Sequence, residues 1–196
     1  IGARDTLRLA ALMYLISALG CAFAWDLSSL VFFRFIGGLG IGCSSVLGPV
    51  YIAEIAPASW RGRLVGMFQV NVVLGILLAY LSNLLIGSCG FADYEWRVKL
   101  GISALPALLF LLMLFVIPHS PRWLAAKGRL AEAESVLALV GVEDSKVELA
   151  EIMGNLNSEQ GSREKLFCKK YRLPIFLAVS IGMFNQLSGI NAILYY

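Results

Sequence analysis

Five uncharged and mostly apolar stretches divide the chain: Leu9–Trp25, Phe35–Ala53, Leu64–Ala92, Leu100–Pro118 and Leu173–Tyr196. Each is close to the roughly 20 residues that an α-helix needs to cross about 30 Å of hydrocarbon. The pattern predicts five membrane spans. Between the fourth and the fifth the periodicity changes. Leu130, Ala133, Leu137 and Val140 recur at helical spacing with charges opposite, and Val147, Ala150, Ile152 and Met153 mark a second amphipathic stretch. Two short helices lying against the membrane domain are expected there. A flexible link, "GNLNSEQGS", then leads to a basic run, "KLFCKKYR", at the membrane surface.

Composition supports this reading. Of 196 residues 59% are hydrophobic and 15% charged, and the mean hydropathy is +0.77, outside the range of ordinary soluble domains. A signal peptide is a poor reading of the first stretch, since four further spans follow. The chain begins "IGARDTL" without an initiator Met, so it is expected to be an internal piece of a longer protein. Cys21, Cys43, Cys89 and Cys168 show no CxxC spacing and no pairing with His, which leaves them as small packed residues. No metal or other cofactor is expected. An enzyme is disfavoured, because no Ser/His/Asp set, carboxylate pair or ligand cluster is present.

The net charge of +3 follows from topology and does not call for nucleic acid as a partner. With the N-terminus cytoplasmic, 13 of the 16 Lys and Arg residues fall inside, and the outer loops hold Arg97 and Lys99. The last, Arg34, lies within or at the edge of the second span, where a cation is costly unless paired. The glycines of "RFIGGLGIG" and the prolines Pro49 and Pro106 point to close helix packing within the lipid bilayer.

Several segments follow one another in an order that resembles the sugar porters of the major facilitator superfamily, in particular xylose/proton symporter-like and glucose-facilitator-like proteins of bacteria. They are "GAR" at Gly2–Arg4, "RFIGGLGIG", "PVYIAEIAPASWRGRL", "FQVNVVLGILLAY", "EWR", "LPALLFL", "PHSPRWL" and "NQLSGINAILYY". The resemblance implies an all-α membrane protein with the major facilitator fold. That fold has about twelve helices in two six-helix halves, and this chain would be a fragment covering helices 3 to 7. Residues 1–118 would hold helices 3–6 of the N-terminal half. Residues 119–172 would form a cytoplasmic amphipathic helical connector, and residues 173–196 helix 7, the start of the C-terminal half.

The expected function is transport of a monosaccharide, hexose or pentose, across the cell membrane by alternating access. Either proton symport or facilitated diffusion fits, and a non-transporting sugar sensor on the same fold is the alternative. Three positions depart from the family pattern: Ala3 stands between Gly2 and Arg4 in place of Arg, His119 in place of Glu, and Asn185 in place of the first of two Gln. His119 is expected to be a tolerated surface substitution.

The chemistry of the polar residues fits such a substrate. An amide offers two donors and an acceptor, which suits adjacent sugar hydroxyls, and its neutrality avoids the desolvation cost of a buried charge. By resemblance, Gln69, Asn185, Gln186 and Asn191 bind sugar and Tyr195 lines the cavity. Asn71 and Asn83 are expected instead to bond neighbouring helices. Gln186 and Asn191 are five residues apart, so on a regular helix they diverge by about 140°. A helix break near Gly189 is therefore expected. A second group, Arg4, Glu54, Arg61, Arg63 and Arg122, gathers at the inner ends of the spans and is expected to act as a gate, with Glu54 pairing to Arg122 or Arg4. By resemblance Arg34 serves coupling. No Asp or Glu lies inside any of the five stretches.

Overall fold

A computed structural model of the chain describes residues 2–57, 59–88, 90, 94–142, 144–160 and 171–188, with the side chains at 157–160, 185 and 186 outside that description. The described residues contain helices and no strand. In chain order they are α1 (Ala3–Ala22), α2 (Leu27–Ile55), α3 (Arg61–Ser88), α4 (Glu95–Gly101), α5 (Ala104–Val116), α6 (Pro121–Ala126), α7 (Leu130–Leu139), α8 (Ser145–Gln160) and α9 (Arg172–Leu187). The chain forms two compact units, Ile1–Met153 and Gly154–Tyr196. α1, α2, α3 and the run Glu95–Val116 are each long and apolar enough to cross a membrane. α9 carries the described part of the fifth expected span, and the predicted break near Gly189 lies outside the described residues.

α2 begins well before the uncharged run because the Asp26 carboxylate accepts the Ser29 N–H at 2.7 Å. The Asp26 N–H donates back to Ser29 Oγ at 3.4 Å, so two otherwise free helix-end donors are satisfied reciprocally. This start puts Arg34 seven residues inside the helix, about 10 Å from its end.

The fourth span differs from expectation in two ways. It starts at Glu95, which draws Arg97 and Lys99 out of the expected loop into α4, and it is broken at Ile102–Ser103. Pro106 has no N–H to offer the Ile102 carbonyl, which takes a tighter bond from Leu105 N at 3.1 Å instead. The Ser103 hydroxyl turns back onto the Leu100 carbonyl at 2.6 Å.

The core of the first unit lies along α1. Leu7 and Ala11 pack with Tyr51 of α2 and with Leu111 and Leu114 of α5. α1 and α2 approach closely through small residues. A Cβ at Gly37 would collide with Ser17, and one at Gly40 would stand 3.2 Å from the Ala10 carbonyl oxygen. Tyr14 and Ser44 share a hydrogen bond of 2.5 Å across the same seam.

The segment after α5 begins with α6, which ends at a left-handed glycine. Gly128 has φ of 77°, its N–H reaches the Ala125 carbonyl at 3.0 Å, and Arg129 N–H reaches the Leu124 carbonyl at 3.0 Å. Leu124, Ala133 and Val136 then pack with Trp123, Val140 and Leu149, as the amphipathic spacing predicts. The expected flexible link is corrected in part: α8 continues through "GNLNSEQ" to Gln160. One glycine costs a helix only about 1 kcal/mol, and the neighbouring Leu, Glu and Gln favour helix enough to carry it.

Candidate functional site

Gln69 lies in α3, eight residues from its start and therefore about 12 Å along the helix. It is exposed on the first unit and lines a shallow groove of about 350 Å³ with Val70, Val73, Leu74 and Leu77. The other polar groups of α3 behave differently. Asn71 donates to its own helix at the Met67 carbonyl, 3.0 Å away, and Ser82 and Ser88 donate to the Ala79 and Leu84 carbonyls. Such back-bonding satisfies a polar side chain inside hydrocarbon. The amide of Gln69 has no hydrogen-bond partner among the described residues, so its bonds await something outside the helix. Asn185 and Gln186 lie in the last turn of α9, while Asn191 and Tyr195 fall outside the described residues.

Arg34 lines a cavity of about 480 Å³ between α1, α2 and the α4–α5 span, beside Tyr14, Ser17, Gly37, Ser103 and Phe110. Arg34 has no ion-pair partner among the described residues, and a guanidinium within a spanning helix is costly in lipid unless water or a partner faces it.

The start of α1 and the ends of α2 and α5 form a second cluster, in which Arg4 makes other contacts than the expected pair with Glu54. The last carbonyls of a helix lack intrahelical partners, and those of α5 are taken by side chains from its neighbours. Arg4 Nη1 donates to the Ile117 carbonyl at 2.9 Å, Arg8 Nε to the Leu114 carbonyl at 3.2 Å, and Tyr51 Oη to the Pro118 carbonyl at 2.5 Å. Arg8 also lies 4.6 Å from the centre of the Phe115 ring. Cations at a helix C-terminus further complement its dipole. Asp5 joins both arginines, 3.9 Å from Arg4 and 3.5 Å from Arg8.

Glu54 sits in the last turn of α2, and the pairing expected between Glu54 and Arg4 is absent among the described residues. Arg4 is held by α5 and by Asp5 because α5 ends beside the start of α1, a neighbourhood that sequence spacing does not display. Arg61 opens α3, Arg63 lies 5.1 Å over the Trp60 ring, and Arg122 stands in the first turn of α6. Asp5, Arg8 and Tyr51 were missed as members of this cluster, and the one available signal was their charge or hydroxyl near a predicted span end. Tyr51→Phe leaves a shielded carbonyl without its donor. We expect a loss of about 1 to 2 kcal/mol in stability, read as a lowered thermal midpoint.

His119 is more enclosed than a simple surface substitution implies. It is half-buried, its ring stacks on Trp123 at 4.5 Å and 18°, and Nδ1 is shielded with no partner among the described residues. Burial, and then the Arg4 guanidinium, hold His119 below the ordinary imidazole value, with Asp5 opposing them. The folded state thus prefers the neutral ring, and protons bind the unfolded chain more readily. The stabilisation is complete above about pH 6.5, the unfolded value, and is lost as pH falls below it. Thermal midpoints of wild type and His119→Gln across this range will show it: the variant loses part of the acid-side slope.

Long apolar helices, one carrying an exposed amide and another an exposed arginine about 10 Å from its start, have the architecture of the major facilitator fold. The solved structures agree. The proton:xylose symporter XylE bound to 6-bromo-6-deoxy-D-glucose matches with a TM-score of 0.85 at 33% identity, over 98% of this chain and 45% of that one. A partially occluded inward-open form of XylE from Escherichia coli matches with a TM-score of 0.83 at 34% identity, over 99% and 47%. The chain belongs to the Sugar (and other) transporter family, whose model matches residues 1–196. It is 40% identical to an arabinose-proton symporter of Bacillus subtilis over all of this chain and 43% of that protein. It is 34% identical to a D-xylose-proton symporter of Escherichia coli, over all of this chain and 44% of that protein. The chain thus spans about two-fifths of the length of the curated relatives it matches.

Proposed function

We propose that the protein carrying this chain moves a monosaccharide across the cell membrane by alternating access, coupled to protons. Pentoses such as D-xylose and arabinose are the first candidates, since relatives are named as proton symporters of these sugars. The observation that carries the reading is the amide of Gln69, placed inside a spanning helix, exposed, and not turned back on its own backbone as Asn71 is. Asn185, Gln186 and Asn191 supply further amides and Tyr195 an aromatic wall. Arg34 is the coupling residue: its guanidinium, about 10 Å inside α2, suits a carboxylate whose charge follows the proton. Arg4, Glu54, Arg61, Arg63 and Arg122 belong to the inner gate.

In this reading the N-terminal end of the chain faces the cytoplasm, consistent with 13 of 16 cations on that side. Residues 1–118 serve the N-terminal half, residues 119–172 connect the halves, and residues 173–196 open the second. Uptake of radiolabelled D-xylose into proteoliposomes tests it. We expect saturable uptake that an acidic exterior stimulates and a protonophore abolishes. Saturable uptake indifferent to the protonophore means facilitated diffusion, and no uptake by folded protein favours the sensor.

A further inference from the structure

We infer that Tyr80 and Asn83 form an outer sugar subsite on α3, continuing the sugar-facing strip that starts at Gln69. The inference rests on the transport reading above.

α3 runs unbroken from Arg61 to Ser88, so helical geometry relates its residues directly. At about 100° per residue, Tyr80 lies about 20° to one side of Gln69 and Asn83 about 40° to the other, one narrow strip. Along the axis they stand about 16 Å and 21 Å beyond Gln69, towards the outer end. The packed side of the helix is elsewhere: Phe68, against Gly48, and the buried Ile86 both lie about 100° round from Gln69. Tyr80 is 42% exposed and Asn83 is exposed.

The hydrogen bonds separate the two amides of this strip, Gln69 and Asn83, from other polar groups of α3. Asn71, Ser82 and Ser88 spend their donors on their own helix. Asn83, like Gln69, has no hydrogen-bond partner among the described residues. An amide left unspent within a spanning helix is expensive unless a partner or a watery cavity faces it. Asn83 adds the same donor and acceptor set as Gln69, suited to paired hydroxyls. Tyr80 adds a flat apolar ring with a polar tip, suited to the C–H face of a pyranose. A sugar entering from outside meets these two before it reaches Gln69. Asn83, which the sequence alone assigns to helix contact, is thereby given to the substrate.

A ligand longer than the transported sugar reads this subsite separately from the central one. β-1,4-Xylobiose added outside, in proteoliposomes of the intact transporter, should inhibit D-xylose uptake. In Tyr80→Ala and Asn83→Ala its inhibition constant should rise at least fivefold, while the affinity for D-xylose itself changes less than twofold. Gln69→Ala should weaken D-xylose and leave xylobiose inhibition within twofold, because a disaccharide seated on Tyr80 and Asn83 does not span the distance of about 16 to 21 Å to Gln69. The subsite is overturned if xylobiose does not inhibit, or if its inhibition is the same in both variants and wild type. It is also overturned if xylobiose and D-xylose weaken together with a lowered thermal midpoint, the mark of a bond between helices. Absence of wild-type uptake overturns the transport reading, and the subsite with it.

Discussion

Replacing Gln69 with Ala should lower sugar affinity about 10- to 100-fold while the protein remains folded. The amide can make two hydrogen bonds to ring hydroxyls, each worth about 1 kcal/mol net, and each 1.4 kcal/mol is a tenfold change in binding. Stability should hold, because no described residue depends on that side chain for a bond. Gln186→Ala is expected to behave alike. Asn71→Ala is the control on the same helix: its amide is occupied by the Met67 carbonyl at 3.0 Å, so affinity should stay within twofold. Isothermal titration with D-xylose separates the cases. Equal losses at Gln69 and Asn71 would mean that the amides act on helix stability, with no sugar contact at Gln69.

The second large effect is structural. Gly37→Val should strip the membrane domain of folded protein, because any Cβ at Gly37 collides with Ser17 and a branched one also crowds α1. Overpacking of this kind costs about 1 to 3 kcal/mol, a large share of a marginal stability. Gly42→Ala, in the same glycine-rich motif, meets nothing within 4 Å. It should be neutral or slightly stabilising, since alanine favours helix by about 1 kcal/mol over glycine. Detergent size-exclusion profiles and thermal midpoints distinguish them. A glycine motif is therefore several positions of unequal weight, decided by which ones lie under a neighbouring helix.

These cases show which parts of the fold were readable in advance. Four of the five uncharged stretches correspond to helices long enough to span, because their lengths and compositions carry the signal. The amphipathic spacing of Leu130, Ala133 and Leu137 likewise found α7, whose Ala133 and Leu137 are buried. The break at Ile102–Ser103 was missed, since it needs Pro106, Ser103 and the close Gly101–Ala22 contact acting together. The early start of α2 was legible in principle from the Asp26–Ser29 pair, a capping signal that hydropathy alone overrides.

The site divides along the same line. Gln69 was legible as an exposed amide on a spanning helix, because an amide in an apolar run stands out in any sequence. The cluster at the start of α1 was legible as charges but not as contacts: Arg4 and Arg8 act on backbone carbonyls at the end of α5, 113 and 106 residues away. Carbonyls have no side-chain signature, so such caps are invisible until the helix ends are placed. The stacking of His119 on Trp123 was likewise not legible, because it follows from the turn that opens α6.

Alternating access around a sugar site is the central claim, and counterflow tests it most directly. Proteoliposomes containing the complete transporter are loaded with unlabelled D-xylose and diluted into a trace of the labelled sugar, with no proton gradient. A carrier that exposes one site to each side in turn should accumulate label transiently above its equilibrium level before decaying. Monotonic approach to equilibrium, or no entry at all, would contradict the account.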